Sequence, residues 1–362
     1  MTTPPRAAAP TAPGHRFARA IGRWALRIAI AIFLLVALCA ASGAVYQMVA
    51  TRRDATRFRP PGRMVDVGGH RLDLVCAGRG EPTVVLDGPV GASHLVWMRV
   101  QPAIAAFARV CSYDRAGFGW SEPDDQPRTN ERMATELHTL VQRAGERGPF
   151  VLVGNSLGGV NARIFALRFP DEVAGMVLLD SGHEDQFARL PPSAGVTPQE
   201  RRTLGILRVA VRLGLLRLNG VALGEGSSDQ LPDSLRPAAR AMGFRTAWVD
   251  AVRNEVLNAV QGYAEARDAI ARGPKPLLGD RPLVVLVRDP DDEQFRRDPS
   301  VRTVWMDLQR ELAASSTRGT LRTVEGSGHF VEVDRPQAVI DAVREVVEAG
   351  RGQATARELR NR

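Results

Sequence analysis

Gly154-Asn155-Ser156-Leu157-Gly158 follows directly on the apolar run Phe150-Val151-Leu152-Val153 and precedes a helical stretch, Val160 to Phe169, that Pro170 ends. A serine in a G-x-S-x-G turn between a strand and a helix is the pattern of a nucleophile elbow, which leaves the hydroxyl exposed above a sheet. The flanking glycines let strand and helix approach without a Cβ between them. The helix N-terminus beyond the serine favours developing negative charge. Such a serine needs a base to take its proton and donors to hold an oxyanion. Of six histidines, His15 precedes a long apolar run, His70 sits in a turn, and His94 and His138 fall at helical positions. His183 and His329 remain. His329 lies in Gly326-Ser327-Gly328-His329-Phe330, a loop with no structural need for an imidazole, and is the expected base. His183 is expected to line the pocket rather than to catalyse. Two places offer a carboxylate to orient the imidazole: Asp180, ending the apolar run Val177-Leu178-Leu179, and Asp291 in Arg288-Asp289-Pro290-Asp291-Asp292-Glu293.

Apolar strand-like runs alternate with helical ones, the signature of a mostly parallel sheet covered on both faces. Strands are expected at 63–67, 70–76, 83–87, 109–113, 150–154, 174–180, 282–288 and 320–325. Helices are expected near 95–107, 129–145, 157–169, 300–315 and 335–348. The alternation fails once: about a hundred residues between Asp180 and Pro282 hold helical runs, Gln199 to Leu218 and Ala247 to Ala271, and no strand. An insertion of that size reads as a helical cap over the strand ends, where ligands bind in open α/β sheets. Within it Arg208, Arg212 and Arg217 share a helical face, either solvated on a lid or facing lipid phosphates.

The net charge of +8 is not spread along the chain. Residues 1–59 hold nine arginines and one acid, while the rest balances 39 basic against 39 acidic residues, which excludes a general nucleic-acid surface. Ile28 to Ala50 is 23 residues without a charge, flanked by arginines on both sides. As a helix it spans roughly 30 Å of hydrocarbon, and its length favours an uncleaved anchor over a cleaved signal. The expected partner of residues 28–50 is therefore a lipid bilayer, crossed once, with the N-terminus inside and the catalytic body outside the cytoplasmic membrane. Cys39 lies in that segment, whereas Cys76 and Cys111 fall in strand-like runs as small buried residues or as a disulfide in an exported body. The organisation expected is a disordered 1–20, an anchor over 21–50, a linker over 51–62, a core over 63–182 and 282–348, a cap over 183–281 and a flexible tail over 349–362.

Tyr113-Asp114-Arg115-Ala116-Gly117-Phe118-Gly119-Trp120-Ser121, Gly154-Asn155-Ser156-Leu157-Gly158-Gly159 and Gly328-His329 occur in the order and spacing of the α/β-hydrolase fold, which residues 63–348 resemble. The resemblance implies a mostly parallel eight-stranded sheet with its second strand antiparallel, helices on both faces and a helical cap after strand six. It also implies hydrolysis of an ester or related acyl bond through an acyl-enzyme, with no metal and no cofactor. Its strand order makes the second and fourth strands neighbours, and so implies a Cys76–Cys111 disulfide. One oxyanion donor would be the Leu157 N–H. The other would come from the loop after strand three, where Gly88-Pro89 occupies the usual His-Gly positions and Val90 supplies the N–H. The acid customarily follows strand seven, at Asp291, or ends strand six in some members, at Asp180; Asp180 is preferred. The substrate expected is a small apolar ester or acyl compound. Alternatives are a catalytically inactive protein that keeps the fold for binding, with Pro89 marking a ruined oxyanion loop, or an acyltransferase or peptidase.

Overall fold

The computed structural model describes residues 14–191, 197–224 and 231–360. Eight strands form one sheet: β1 (Arg63–Asp66), β2 (Arg71–Ala77), β3 (Thr83–Asp87), β4 (Val110–Tyr113), β5 (Phe150–Asn155), β6 (Val173–Leu179), β7 (Leu283–Arg288) and β8 (Gly319–Val324). Their spatial order is β1-β2-β4-β3-β5-β6-β7-β8. Only β2 runs against its neighbours, antiparallel to both β1 and β4. Every other pairing is parallel.

The strand pleat explains how so apolar a sheet is covered twice, since alternate side chains go to opposite faces. Phe150 and Leu152 of β5 pack with Met133, Leu137 and Phe165 from the helices Asn130–Arg143 and Leu157–Arg168. Val151 and Val153 face the other way, into a cluster with Ile104, Val339 and Val343 from the helices Gln101–Ala105 and Pro336–Arg360. The order β3-β5-β6 places the C-terminal ends of three parallel strands side by side, and Asp87, Asn155 and Leu179 end there.

Between β6 and β7 the described chain forms the helices Gln186–Arg189, Pro198–Arg212, Leu215–Leu218, Arg236–Gly243 and Thr246–Arg272. The single helix expected from Gln199 to Leu218 is broken, because Gly214 takes a left-handed φ of 69°. Arg208 and Arg212 pair with Asp250, at 2.5 and 3.0 Å, and Arg217 pairs with Asp54 at 2.6 Å, so all three meet protein carboxylates. The N-terminal helix, Gly14–Arg57, takes in residues 14–20 expected as disordered and 51–57 expected as linker, since nothing breaks it before Pro60-Pro61. The rest of the expected disordered stretch, 1–13, lies outside the described residues. It includes the one helix among the described residues long and apolar enough to cross a membrane. Its end is seated on the cap: a Cβ on Gly43 would lie 2.3 Å from the Leu213 carbonyl oxygen, and Gln47 Nε2 donates to the Phe244 carbonyl at 2.6 Å. The last helix continues to Arg360, through the expected tail, because no proline stops a run rich in helix formers.

Candidate active site

Ser156 sits between β5 and the helix Leu157–Arg168 with φ 53° and ψ −115°. Ser156 and Asp180 (φ 37°) are the non-glycine residues at positive φ among the described ones. Strained residues of this kind persist where surrounding bonds over-determine them, and they cluster at functional sites. The Ser156 N–H donates to the Leu179 carbonyl at 3.1 Å, and its own carbonyl accepts from Gly159 and Gly182. Close approach explains the glycines. A Cβ on Gly154 would come within 2.5 Å of the Gly158 backbone, and one on Gly158 within 2.2 Å of the Asp87 carbonyl oxygen.

Asp180 follows β6, fully buried, and its Oδ2 lies 2.6 Å from His329 Nδ1. Arg288 Nη2 also lies 2.9 Å from Nδ1, but the contact to the ionised carboxylate is the shorter and assigns the proton to Nδ1, which leaves Nε2 as the acceptor. Trp305 Nε1 donates to Oδ1 at 2.7 Å, and Arg288 Nε donates to Oδ2 at 2.7 Å. Burial by itself would raise the Asp180 pKa, but the Arg288 charge, with the His329 and Arg288 hydrogen bonds, outweighs it and holds the carboxyl at about 2. The His329 carbonyl is fixed by Asn155 Nδ2 at 2.9 Å, which also reaches the Leu179 carbonyl at 3.1 Å. Asn155 therefore ties the histidine loop to the strand that carries the serine. Among the described residues neither Ser156 Oγ nor His329 Nε2 has a hydrogen bond, a looseness common before substrate closes the gap.

The loop after β3 is held from beneath by Arg115, whose side chain is 2% exposed. Its guanidinium donates to Asp87 Oδ1 at 2.7 Å, to the Gly88 carbonyl at 2.8 Å and to the Pro89 carbonyl at 2.6 Å. Its Nε donates to Glu255 Oε1 of the cap at 2.7 Å. In a planar trans peptide the C=O and N–H point in opposite directions. With the Pro89 carbonyl turned toward Arg115, the Val90 N–H is aimed the other way. Val90, Ser156 and Leu157 line one cavity of about 480 Å³ whose further walls come from the cap, including Phe187, Leu204, Val252 and Tyr263. Leu157 opens its helix, so its N–H is one of those without an intrahelical acceptor.

The remaining expected residues lie elsewhere. Asp291 is exposed on its loop, and among the described residues no hydrogen bond joins it to His329. His183 is buried, accepts the Asp185 N–H at Nδ1 and does not line the cavity, whereas Gln186 and Phe187 do. Burial and the nearby Arg163 push its pKa down to about 4. Cys76 and Cys111 are register partners on β2 and β4 and are joined by a disulfide. The buried Asp73, His94 and Asp114 bring ligand-type atoms within 4.8 Å of one another. Asp114, however, already accepts from the His94 and Trp120 amides at 2.7 and 2.8 Å, a bonded support for the Asp114–Ser121 turn. Sequence reasoning missed Arg115, Glu255, Arg288 and Trp305 as parts of the site; each acts across a long separation, and no spacing signals the pairings.

The comparisons with known proteins bear on the fold and its family. An esterase from Thermogutta terrifontis superposes with a TM-score of 0.55 at 22% identity, over 79% of this chain and 97% of that one. The epoxide hydrolase CorEH does so with a TM-score of 0.53 at 21% identity, over 78% and 96%. By sequence, 131 residues are 31% identical to a 2-hydroxy-6-oxo-6-(2'-aminophenyl)hexa-2,4-dienoic acid hydrolase from Metapseudomonas resinovorans, or 34% of this chain and 45% of that protein. The chain spans 20%, 49% and 40% of the length of three other curated relatives that it matches. The model of the alpha/beta hydrolase family matches residues 74–342, most of the chain and all of the elements around Ser156 and His329. This chain is a member of the alpha/beta hydrolase family.

Proposed function

We propose that this protein is a membrane-anchored serine hydrolase that cleaves a carboxylic ester, or a related acyl bond, through an acyl-enzyme on Ser156. His329 Nε2 takes the Ser156 proton and returns it to the leaving group. Asp180 holds the imidazole tautomer and stabilises the imidazolium, and the Leu157 and Val90 N–H groups receive the oxyanion. The observation that carries the reading is the 2.6 Å contact between His329 Nδ1 and a buried, strained Asp180 beside the equally strained Ser156. The arrangement at Pro89 supports catalysis over binding alone, since the Arg115 bonds leave the Val90 N–H available. A serine at the elbow favours ester chemistry over epoxide opening, which uses a carboxylate nucleophile there. The Metapseudomonas relative is named for a dienoic acid substrate, whereas the cavity at Ser156 is lined mainly by apolar residues with one carboxylate, Glu200, and no cation among the described residues.

The helix Gly14–Arg57, with exposed apolar side chains such as Leu34 and Leu38, is the anchor in this reading. The Cys76–Cys111 disulfide supports a body outside the cytoplasm, where such bonds persist. Protease added to intact cells then degrades the body, and degradation only after lysis places it inside. The enzymatic claim is tested with a fluorophosphonate probe. Ser156 labels in folded protein and Ser156→Ala does not; wild-type protein that is folded yet unlabelled ends the proposal.

A further inference from the structure

The cavity at Ser156 has a neighbour. A second cavity of about 360 Å³ is lined by Val90, Val96, Trp248, Val252, Phe330 and Val333, with Asp334 at its wall. Val90 and Val252 line both spaces, so the residue whose N–H is the candidate oxyanion donor stands on the divide. A carbonyl oxygen bound at that N–H puts the carbonyl carbon at the divide, with one substituent directed to each side. The sides are not equivalent. Phe330, in the wall of the smaller cavity, directly follows His329 in the chain, and the Phe330 and His329 rings are 5.5 Å apart. His329, the proton donor of the first half-reaction, lines neither cavity but packs against Phe330 in the wall of the smaller one.

Resting on the serine-hydrolase reading, we infer that the substrate is an uncharged ester with apolar groups on both sides of the carbonyl, the alcohol portion in the 360 Å³ cavity beside Phe330 and the acyl portion in the 480 Å³ cavity under the cap. In the first step a bond forms between Ser156 Oγ and the carbonyl carbon while the hydroxyl proton passes to His329 Nε2. The carbon–alkoxy bond then breaks, its electron pair stays on the alkoxy oxygen, and that oxygen takes the proton from His329. The neutral alcohol leaves through the smaller cavity. Water next adds to the acyl carbon, giving its proton to His329, and the acyl–Oγ bond breaks as Oγ is reprotonated. The alcohol oxygen must lie on the histidine side for the proton to reach it, which fixes the assignment of the two cavities. The smaller wall is apolar apart from Asp334 and the Trp248 ring, and the larger mixes apolar side chains with uncharged polar ones such as Gln186 and Thr203. The charged groups are carboxylates, Glu200 in the larger and Asp334 in the smaller. No Lys, Arg or His lines either cavity among the described residues, so a carboxylate on either arm of the substrate meets repulsion and no partner.

The test is a matrix of esters on the purified full chain, acetyl to octanoyl on one side and methyl to hexyl on the other, with ω-carboxylate versions of the longest members. The expected kcat/KM rises up to about fourfold for each methylene added on either side until its cavity is full, and falls at least about tenfold for the ω-carboxylate esters. Val333→Trp, which fills the smaller cavity, cuts the rate on hexyl esters while keeping the dependence on acyl length; Val256→Trp does the reverse. A rate indifferent to alcohol length, an ω-carboxylate ester hydrolysed as fast as its uncharged counterpart, or a Val333→Trp effect on acyl length overturns the inference. Failure of every ester together with failure of Ser156 to take the fluorophosphonate overturns the serine-hydrolase reading itself.

Discussion

Replacing Arg115 by methionine separates two things the guanidinium does. It neutralises Asp87 and Glu255, both buried, and it pins the Gly88 and Pro89 carbonyls, which in the proposed mechanism turns the Val90 N–H toward the cavity. Burial pulls the Arg115 pKa down, but Glu255 and Asp87 more than offset this and raise it, so the charge is present at any pH of interest. Methionine fills much the same space and leaves two buried carboxylates without a counter-charge. Breaking a buried pair in this way costs about 3–5 kcal/mol of folding stability. The catalytic effect is of another kind, because the loop loses the acceptor geometry that turned the Pro89–Val90 peptide. Loss of one oxyanion donor lowers kcat by about a hundred- to a thousandfold. Adding Glu255→Gln removes one of the stranded charges, and so returns part of the stability without returning the rate. Urea unfolding followed by tryptophan fluorescence gives the first quantity, and initial rates on a good ester give the second. A single Arg115→Met variant that loses stability but keeps its rate within about twofold, against the hundredfold expected for a lost donor, would refute the claim that Arg115 orients the oxyanion loop. Parallel recovery of rate and stability in the double variant would refute it equally.

Other perturbations follow from the same geometry. Asp180→Asn lowers kcat by about 10⁴, the effect of a wrongly held histidine, while Asp291→Asn leaves rates near wild type; comparable losses in both contradict the pairing seen at His329. Asp73 is fully buried, and that burial together with Asp114 raises its pKa from 3.8 to about 7. The folded protein therefore holds a proton that the unfolded chain has released between pH 4 and pH 7, so stability falls as pH rises through that window. Asp73→Asn removes the effect, and unfolding across pH shows it gaining up to about 4 kcal/mol over wild type by neutral pH and nothing below pH 4. Reducing Cys76–Cys111, which closes a separation of 35 residues, lowers stability by about 4 kcal/mol on chain-entropy grounds, read as a lower urea midpoint.

Much of the fold was legible because it rests on local chemistry. Each of the eight strands begins and ends within about a residue of the apolar runs that announce it, bounded by Gly, Pro and Asp turns. Boundaries failed where one residue decides, as at Gly214, which splits the cap helix, or where nothing breaks a helix before Pro60-Pro61. Ser156 and His329 stand out as candidates because the elbow is contiguous and a histidine in a Gly-Ser-Gly loop has no packing role. The acid was harder, since Asp180 meets His329 across 149 residues and its place depends on Arg288 and Trp305, which come from other elements. The Arg115–Glu255 bond spans 140 residues and joins core to cap, a pairing no local pattern encodes.

The most direct test of the account is to trap the acyl-enzyme. Wild-type protein and the slowly deacylating Asp180→Asn variant are mixed with an apolar ester, quenched in acid and digested. Mass spectrometry of the peptide carrying Ser156 then shows the mass of the acyl group, lasting longer in the variant than in wild type. Turnover of the ester with no acyl group on that peptide, or with the acyl group on another residue, contradicts Ser156 as the nucleophile.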